Sequence, residues 1–122
     1  MTRIAQIADI HFGAEDADAL AAAHRRILDL NPDAVVCCGD LTQRGRRSEF
    51  EDAAAWIASF HQPMLVVPGN HDTPLLNLAT RVARPFRRFD KRFGDLHRTL
   101  ELPTMNLSGF NTARGWQLRR NW

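Results

Sequence analysis

Three short apolar runs alternate with two amphipathic segments over the first 70 residues. The runs cover residues 3–9, Ala34–Cys38 and Met64–Val67. Between them, apolar residues recur at helical spacing: first Leu20, Ala23, Ile27 and Leu30, then Phe50, Ala53, Ile57 and Phe60. This pattern predicts β-α-β-α-β, which is typical of a parallel sheet with right-handed crossovers. The predicted fold class is therefore α/β.

The second run contains no polar residue, which predicts a strand covered on both faces. Its cysteines, Cys37 and Cys38, are sequence neighbours, a spacing that gives neither a disulfide framework nor a CxxC zinc pair. We therefore expect both to be small buried strand residues.

The ends of the two helices also carry sequence signals. Asn31 and Pro32 should stop the first helix. In the second, which follows Gly45, Ser48 and Glu51 have the spacing of a capping box.

Beyond residue 70 the pattern changes to an arginine-rich helix over residues 81–93, with three phenylalanines on one face. Pro85 should start or kink this helix, and Gly94 should cap its C-terminus. Two strands are predicted after it, at Thr99–Leu102 and Asn106–Phe110. The arginines are interpreted as a solvated face rather than a phosphate-binding surface.

The composition of the 122 residues indicates a single domain without a membrane-spanning stretch, and we expect a soluble, cytoplasmic chain. Charge is polarised along it. Residues 1–61 hold six arginines and ten acids, net −4, whereas residues 62–122 hold ten basic residues and four acids, net +6. This balance is too weak to indicate general nucleic-acid binding, but a basic half facing an acidic one suits a small phosphorylated substrate.

Three polar clusters follow the three predicted strands. They are Asp9 with His11, Gly39 with Asp40, and the run Gly69-Asn70-His71-Asp72. Because ligands bind outside the carboxyl ends of parallel strands, the clusters should converge. Carboxylate, imidazole and amide donors form a mixed set that suits Mn, Fe or Zn.

These clusters, in this order and spacing, resemble the calcineurin-like metallophosphoesterases, which carry Asp-x-His, Gly-Asp and Gly-Asn-His-Asp/Glu. The resemblance covers most of the chain and implies a metal-dependent hydrolase of phosphoric esters, in particular a phosphodiesterase. Residues 39–42 and 109–114 are most similar to the bacterial branch that includes cyclic-nucleotide phosphodiesterases, so a cyclic nucleotide is one implied substrate.

The same resemblance implies a cofactor of two divalent metal ions that share a hydroxide, which attacks phosphorus in line. Asp9 and His11 would bind the first ion, Asp40 would bridge both, and Asn70 would bind the second.

Two further roles are implied beside the metal ligands. His71 would stabilise the transition state or protonate the leaving oxygen, and Asp72 would orient the His71 ring.

The family completes its site with further histidines in a Gly-His-x-His turn, and no such turn follows His71. His97 lies outside any such motif and is not assigned. We therefore expect residues 1–122 to form the N-terminal half of a metallophosphoesterase α/β sandwich, incomplete at its C-terminus, with its second metal site incomplete. The alternative is a non-catalytic metal or nucleotide-binding remnant.

Such a half domain should expose a sheet edge through which chains could associate. Phe110, Trp116 and Trp122 should find few packing partners. A nucleic-acid binder using residues 81–92 is the least favoured hypothesis, because that segment lacks aromatic residues suited to stacking.

Overall fold

The computed structural model describes residues 1–115, built around a parallel sheet of three strands. These are β1 (Ile4–Ile7), β2 (Ala34–Cys38) and β3 (Met64–Val67), in the order β1-β2-β3. The α/β class and the parallel sheet predicted from the sequence are confirmed. The first strand is shorter than predicted, since the chain enters a left-handed backbone conformation at Asp9.

The first crossover helix, α1 (Ala17–Leu30), is capped at both ends. The carboxylate of Asp16 accepts hydrogen bonds from the backbone N–H groups of Asp18 and Ala19, at 3.0 Å each. At the other end Asn31 adopts a left-handed conformation with φ +42°, and Pro32 follows. The predicted stop is confirmed.

The second crossover helix, α2 (Arg47–Ala58), begins with a different cap from the predicted one. The carboxylate of Glu49 accepts hydrogen bonds from the backbone N–H groups of Arg46 at 3.0 Å and Arg44 at 2.9 Å. The prediction of a capping box between Ser48 and Glu51 is wrong, because the helix starts one residue before Ser48 and Glu49 holds the preceding loop.

Both helices lie on one face of the sheet. The strands are ordered as in the sequence, so two right-handed crossovers place α1 and α2 on the same side. There Val35 shares a core cluster with Ile27, and Cys37 shares one with Phe50. On the opposite face Cys38 is exposed. The expectation that both cysteines are buried is therefore wrong. Coverage of β2 on this face is partial, since Ala34 is buried and Val36 is half-buried.

The arginine-rich segment forms two short helices rather than one. They are α3 (Leu78–Ala83) and α4 (Arg87–Phe93), with Pro85 between them. Gly94 has φ +81°, and its N–H donates to the carbonyl of Asp90 at 3.0 Å. The predicted C-cap is confirmed, and the helix break falls at the proline, which cannot continue a helix from its preceding turn.

The remaining strands, β4 (Arg98–Leu102) and β5 (Met105–Gly109), form an antiparallel hairpin within one residue of the predicted bounds. The hairpin approaches β3 on the face opposite the helices, where Gly109 lies so close that a Cβ would overlap the Val67 side chain. Phe110 is 68% exposed, as expected. Trp116 and Trp122 lie outside the described residues.

None of the helices in residues 1–115 combines the length and the apolar character needed to cross a membrane. Association through a sheet edge and the domain bounds 1–122 stay predictions.

Candidate metal centre

The loops after β1 and β2 continue the pairing of the two strands beyond their ends. The backbone N–H of Asp9 donates to the carbonyl of Gly39 at 3.2 Å, and that of His11 donates to the carbonyl of Asp40 at 3.0 Å. An isolated parallel bridge between Phe12 and Thr42 closes this extension. The predicted ligands on the two loops are therefore held in register by backbone hydrogen bonds.

This register brings together the side chains of Asp9, His11 and Asp40, whose ligand atoms all lie within 4.8 Å of one another. Nε2 of His11 is 3.7 Å from Oδ1 of Asp9 and 4.0 Å from Oδ2 of Asp40. These separations are too long for hydrogen bonds. Two ligands that each lie about 2.1 Å from one ion are about 3 to 4 Å apart, so the spacing suits a shared cation.

All three of these residues have a left-handed backbone conformation, with φ of +56° at Asp9, +56° at His11 and +51° at Asp40. This conformation costs a residue with a side chain on the order of 1 kcal/mol or more, and such strained residues cluster at functional sites. Because all three candidate ligands are strained, we infer that contacts at the site, and not the conformational preferences of these residues, determine the backbone of the loops.

Two glycines allow the loops after β2 and β3 to touch. Gly39 has φ +79°, and a Cβ there would press on the backbone of Gly69. A Cβ at Gly69 would overlap the carboxylate of Asp40. The Asp40 side chain therefore occupies the space that Gly69 leaves open.

His71 lies beside the three ligands. Its backbone N–H donates to Oδ1 of Asp40 at 2.9 Å, and its ring meets the ring of His11 edge-on, with centroids 4.8 Å apart. Nδ1 of His71 is 2.9 Å from the carbonyl of Gln43. A carbonyl can only accept, so Nδ1 carries the proton in this hydrogen bond. Nε2 is the ring nitrogen that this hydrogen bond does not use.

The prediction that Asp72 orients the His71 ring is corrected by these contacts, because the Gln43 carbonyl holds the ring. Asp72 is fully buried and its carboxylate faces the backbone. It accepts from the N–H of Gly69 at 2.8 Å, and from the N–H and hydroxyl of Thr42 at 2.9 Å each. Burial raises the pKa of Asp72, and these hydrogen bonds oppose the rise.

Asp72 therefore ties the loop after β3 to the loop after β2. Gln43 and Thr42 were missed in the sequence, since a backbone carbonyl and a threonine inside a turn give no distinctive signal. Thr42 lies in the run 39–42 that carries the family resemblance, and Gln43 directly follows this run.

The fourth predicted ligand, Asn70, lies between two residues that contact Asp40. Together with His71 and Arg44 it lines a small cavity of about 110 Å³. A role for its amide as a ligand stays a prediction. His97 lies elsewhere: its Nδ1 accepts from the N–H of Asn111 at 3.3 Å, and its ring packs near Phe110.

The residues present fit a divalent cation. His11 supplies an imidazole nitrogen, a donor that suits Mn, Fe or Zn. Its Nε2 faces two carboxylates beyond hydrogen-bonding distance. A cation between them would give Nε2 a partner and offset the repulsion of the two carboxylates.

Comparison with known proteins gives a consistent result. The family model described as calcineurin-like phosphoesterase matches residues 2–118. Among curated proteins, a glycerophosphodiester phosphodiesterase, GpdQ, of Enterobacter lignolyticus is 34% identical over 80 residues, which are 57% of this chain and 29% of that protein.

Two further relatives are similar over the same length of chain. The 3',5'-cyclic adenosine monophosphate phosphodiesterase CpdA of Escherichia coli K12 is 35% identical over 81 residues, 57% of this chain and 30% of that protein. A probable cyclic nucleotide phosphodiesterase of Synechococcus is 30% identical over 80 residues, 58% of this chain and 31% of that protein. The chain thus spans about 30% of the length of each relative.

Proposed function

Because this chain belongs to the calcineurin-like phosphoesterase family, we propose that it forms the metal-binding part of a phosphodiesterase site. The observation that carries the proposal is the convergence of Asp9, His11 and Asp40 at the ends of two neighbouring parallel strands. Chance proximity of exposed acids is common, but here the backbone is strained at all three residues and held by interstrand hydrogen bonds.

In this proposal Asp9 and His11 would hold one divalent cation, Mn, Fe or Zn, Asp40 would bind this cation and a second one, and Asn70 would bind the second. A divalent cation bound here would polarise a phosphoryl oxygen and lower the pKa of water. Two oxygens make the Asp40 carboxylate suited to bridging. The N–H of His71 fixes Oδ1, which lies in the space that Gly69 leaves open, and Oδ2 faces the His11 ring.

His71 is proposed to act on the substrate. With Nδ1 bonded to the Gln43 carbonyl, Nε2 is left to hold a proton near the leaving oxygen or to donate to a phosphoryl oxygen. Asp72 is a positioning residue in this scheme, because it acts only by holding the two loops together.

The proposed substrate is a small phosphodiester. The relatives named for glycerophosphodiesters and cyclic nucleotides support this class, with a cyclic nucleotide as one member of it. The small cavity beside His71 would receive part of such a molecule. A cytoplasmic location stays part of the same proposal.

A second candidate, metal binding without turnover, is favoured by the size of the donor set. In residues 1–115 the grouped His, Cys, Asp and Glu ligands number three. One ion held by three side chains lacks the two-ion arrangement that clamps a phosphoryl group.

Hydrolysis of bis-p-nitrophenyl phosphate by the full chain with added Mn²⁺ separates the two candidates. The phosphodiesterase proposal predicts release of p-nitrophenol that is lost in Asp40→Ala and retained in Asp29→Ala, which removes an exposed acid of α1. Binding of Mn²⁺ without release would support the second candidate. Neither binding nor release would contradict both.

A further inference from the structure

Six basic residues surround a cavity of about 530 Å³ between α2, α3 and α4: Arg47, Arg84, Arg87, Arg88, Lys91 and Arg92. None of them is a candidate metal ligand. The sequence favoured a solvated face for this segment, but the helix break at Pro85 and the packing of α4 on α2 make the face concave.

The charge in this cavity is poorly balanced. No acidic residue of residues 1–115 lines it. One carboxylate, that of Glu51, serves both Arg47 and Arg92, at 3.0 Å each. Arg88 donates to the carbonyl of Gly45. The unbalanced positive charge attracts anions, and a cleft of one sign concentrates that attraction.

The spacing of the charges along α4 points the same way. Arg87 and Lys91 are four residues apart, as are Arg88 and Arg92, and like charges at this spacing destabilise a helix. A short helix with two such pairs gains stability when an anion lies between the charges. Without an anion, the repulsion between these charges therefore lowers the stability of α4. A bound anion would offset this repulsion.

We propose that this cavity binds a compact oligophosphate, either a free one such as tripolyphosphate or the phosphate tail of a nucleotide. A volume of about 530 Å³ suits one small ligand rather than a polymer. Planar guanidinium groups bind phosphate oxygens in pairs, and several of them spread over one cavity can bind several linked phosphates. The site is independent of the metal centre and of the function proposed above.

A nucleic acid is the less favoured occupant. Single-stranded nucleic acids bind by stacking their bases on exposed aromatic rings. The aromatic residue that lines the cavity is Phe50, which is 1% exposed and belongs to the core. The cavity offers charge without a stacking surface, which selects phosphates over bases.

The test is calorimetric titration of the full chain in EDTA, which removes any contribution from metal-bound phosphate. The probes are tripolyphosphate, ATP, adenosine and a single-stranded oligonucleotide. The variant Arg84→Gln/Arg87→Gln removes two exposed cations of the cavity, and its matched control is Arg25→Gln/Arg26→Gln, which removes two exposed arginines of α1. Thermal unfolding of each variant checks that it is folded.

Tripolyphosphate should bind and adenosine should not. The cavity variant should weaken tripolyphosphate binding by about tenfold or more, and the control by less than about twofold. Equal affinity for ATP and tripolyphosphate would mean that the phosphates alone are recognised, and tighter binding of ATP would identify the nucleotide as the ligand.

Three results would overturn the proposal. They are no binding of tripolyphosphate, equal weakening in the cavity variant and the control, and an oligonucleotide that binds more tightly than tripolyphosphate at equal charge. Loss of Mn²⁺-dependent hydrolysis would leave these measurements unchanged, so failure of the two proposals is distinguishable.

Discussion

Oδ1 of Asp40 accepts a hydrogen bond from the backbone N–H of His71 at 2.9 Å. This contact joins the end of β2 to the loop after β3 through a side chain that also faces the His11 ring. The carboxylate that is proposed to hold metal is thus also part of the structure that positions His71. Replacing Asp40 should disturb both metal binding and the position of His71, whereas replacing His11 should disturb metal binding alone.

We predict that Asp40→Ala lowers the affinity for Mn²⁺ by about tenfold more than His11→Ala does, because a bridging carboxylate serves both ions and offsets their repulsion. Calorimetric titration of both variants with Mn²⁺, with Asp29→Ala as the control, measures this difference. Equal residual affinity in the two variants would indicate a mononuclear site.

Asp72 should matter more for stability than for binding. Its carboxylate accepts from the buried N–H groups of Leu41 and Thr42 and from the half-buried N–H of Gly69. Asp72→Ala leaves these donors without a partner, and we expect a loss of about 3 kcal/mol in the free energy of unfolding. Urea unfolding measures it, and Asp52→Ala, at an exposed position of α2, serves as the control.

A milder variant keeps this prediction measurable if Asp72→Ala does not fold. Thr42→Val removes the hydroxyl bonded to Asp72 and should cost about 1 kcal/mol. Unchanged urea midpoints in both variants would show that Asp72 does not hold the loops together.

Gly69→Ala should weaken metal binding through the position of Asp40. A Cβ at Gly69 would overlap the Asp40 carboxylate, which must then move. We expect a loss of Mn²⁺ affinity of about tenfold or more. Gly94→Ala is the matched control: it introduces a side chain at φ +81° far along α4 and should cost about 1 kcal/mol of stability without changing Mn²⁺ affinity. Equal Mn²⁺ affinity in the two variants would refute the steric argument.

The two cysteines lie on opposite faces of the sheet, and Cys38 reports on the face that carries no helix. Cys38 is exposed and Cys37 is buried, and burial raises the pKa of both thiols above the ordinary value of 9.0. Cys38 should react with a disulfide reagent in the native chain, and its rate should rise about tenfold for each unit by which the pH increases, as long as the pH stays below its pKa; Cys37 should react only on unfolding. Protection of Cys38 at high protein concentration would indicate association through this face. Two fast thiols would contradict the packing of β2.

Sequence periodicity was sufficient to predict the sheet, the two later strands and the neighbourhood of the site. Asp9 and Asp40 end adjacent strands of one βαβ unit, so their convergence follows from parallel topology alone. The bounds of β4 and β5 follow from local alternation and were predicted within one residue.

Other features depend on contacts between distant parts of the chain and were not predictable from local patterns. The exposure of Cys38 follows from two crossovers that run in the same direction, which leaves one face without a helix. The hold of the Gln43 carbonyl on His71, and of Glu49 on the loop before α2, depends on how turns fold back in space. These contacts formed in place of the two that sequence spacing predicted, namely Asp72 with the His71 ring and Ser48 with Glu51.

The measurement that tests the account most directly is the location of bound Mn²⁺ by paramagnetic broadening of backbone amide signals in the ¹⁵N-labelled chain. We predict that sub-stoichiometric Mn²⁺ first broadens the amides of residues 9–12, 39–42 and 69–72, and that Asp40→Ala removes this pattern. Broadening centred on other acids, such as Glu51 and Asp52 of α2, would contradict assignment of the metal centre to Asp9, His11 and Asp40.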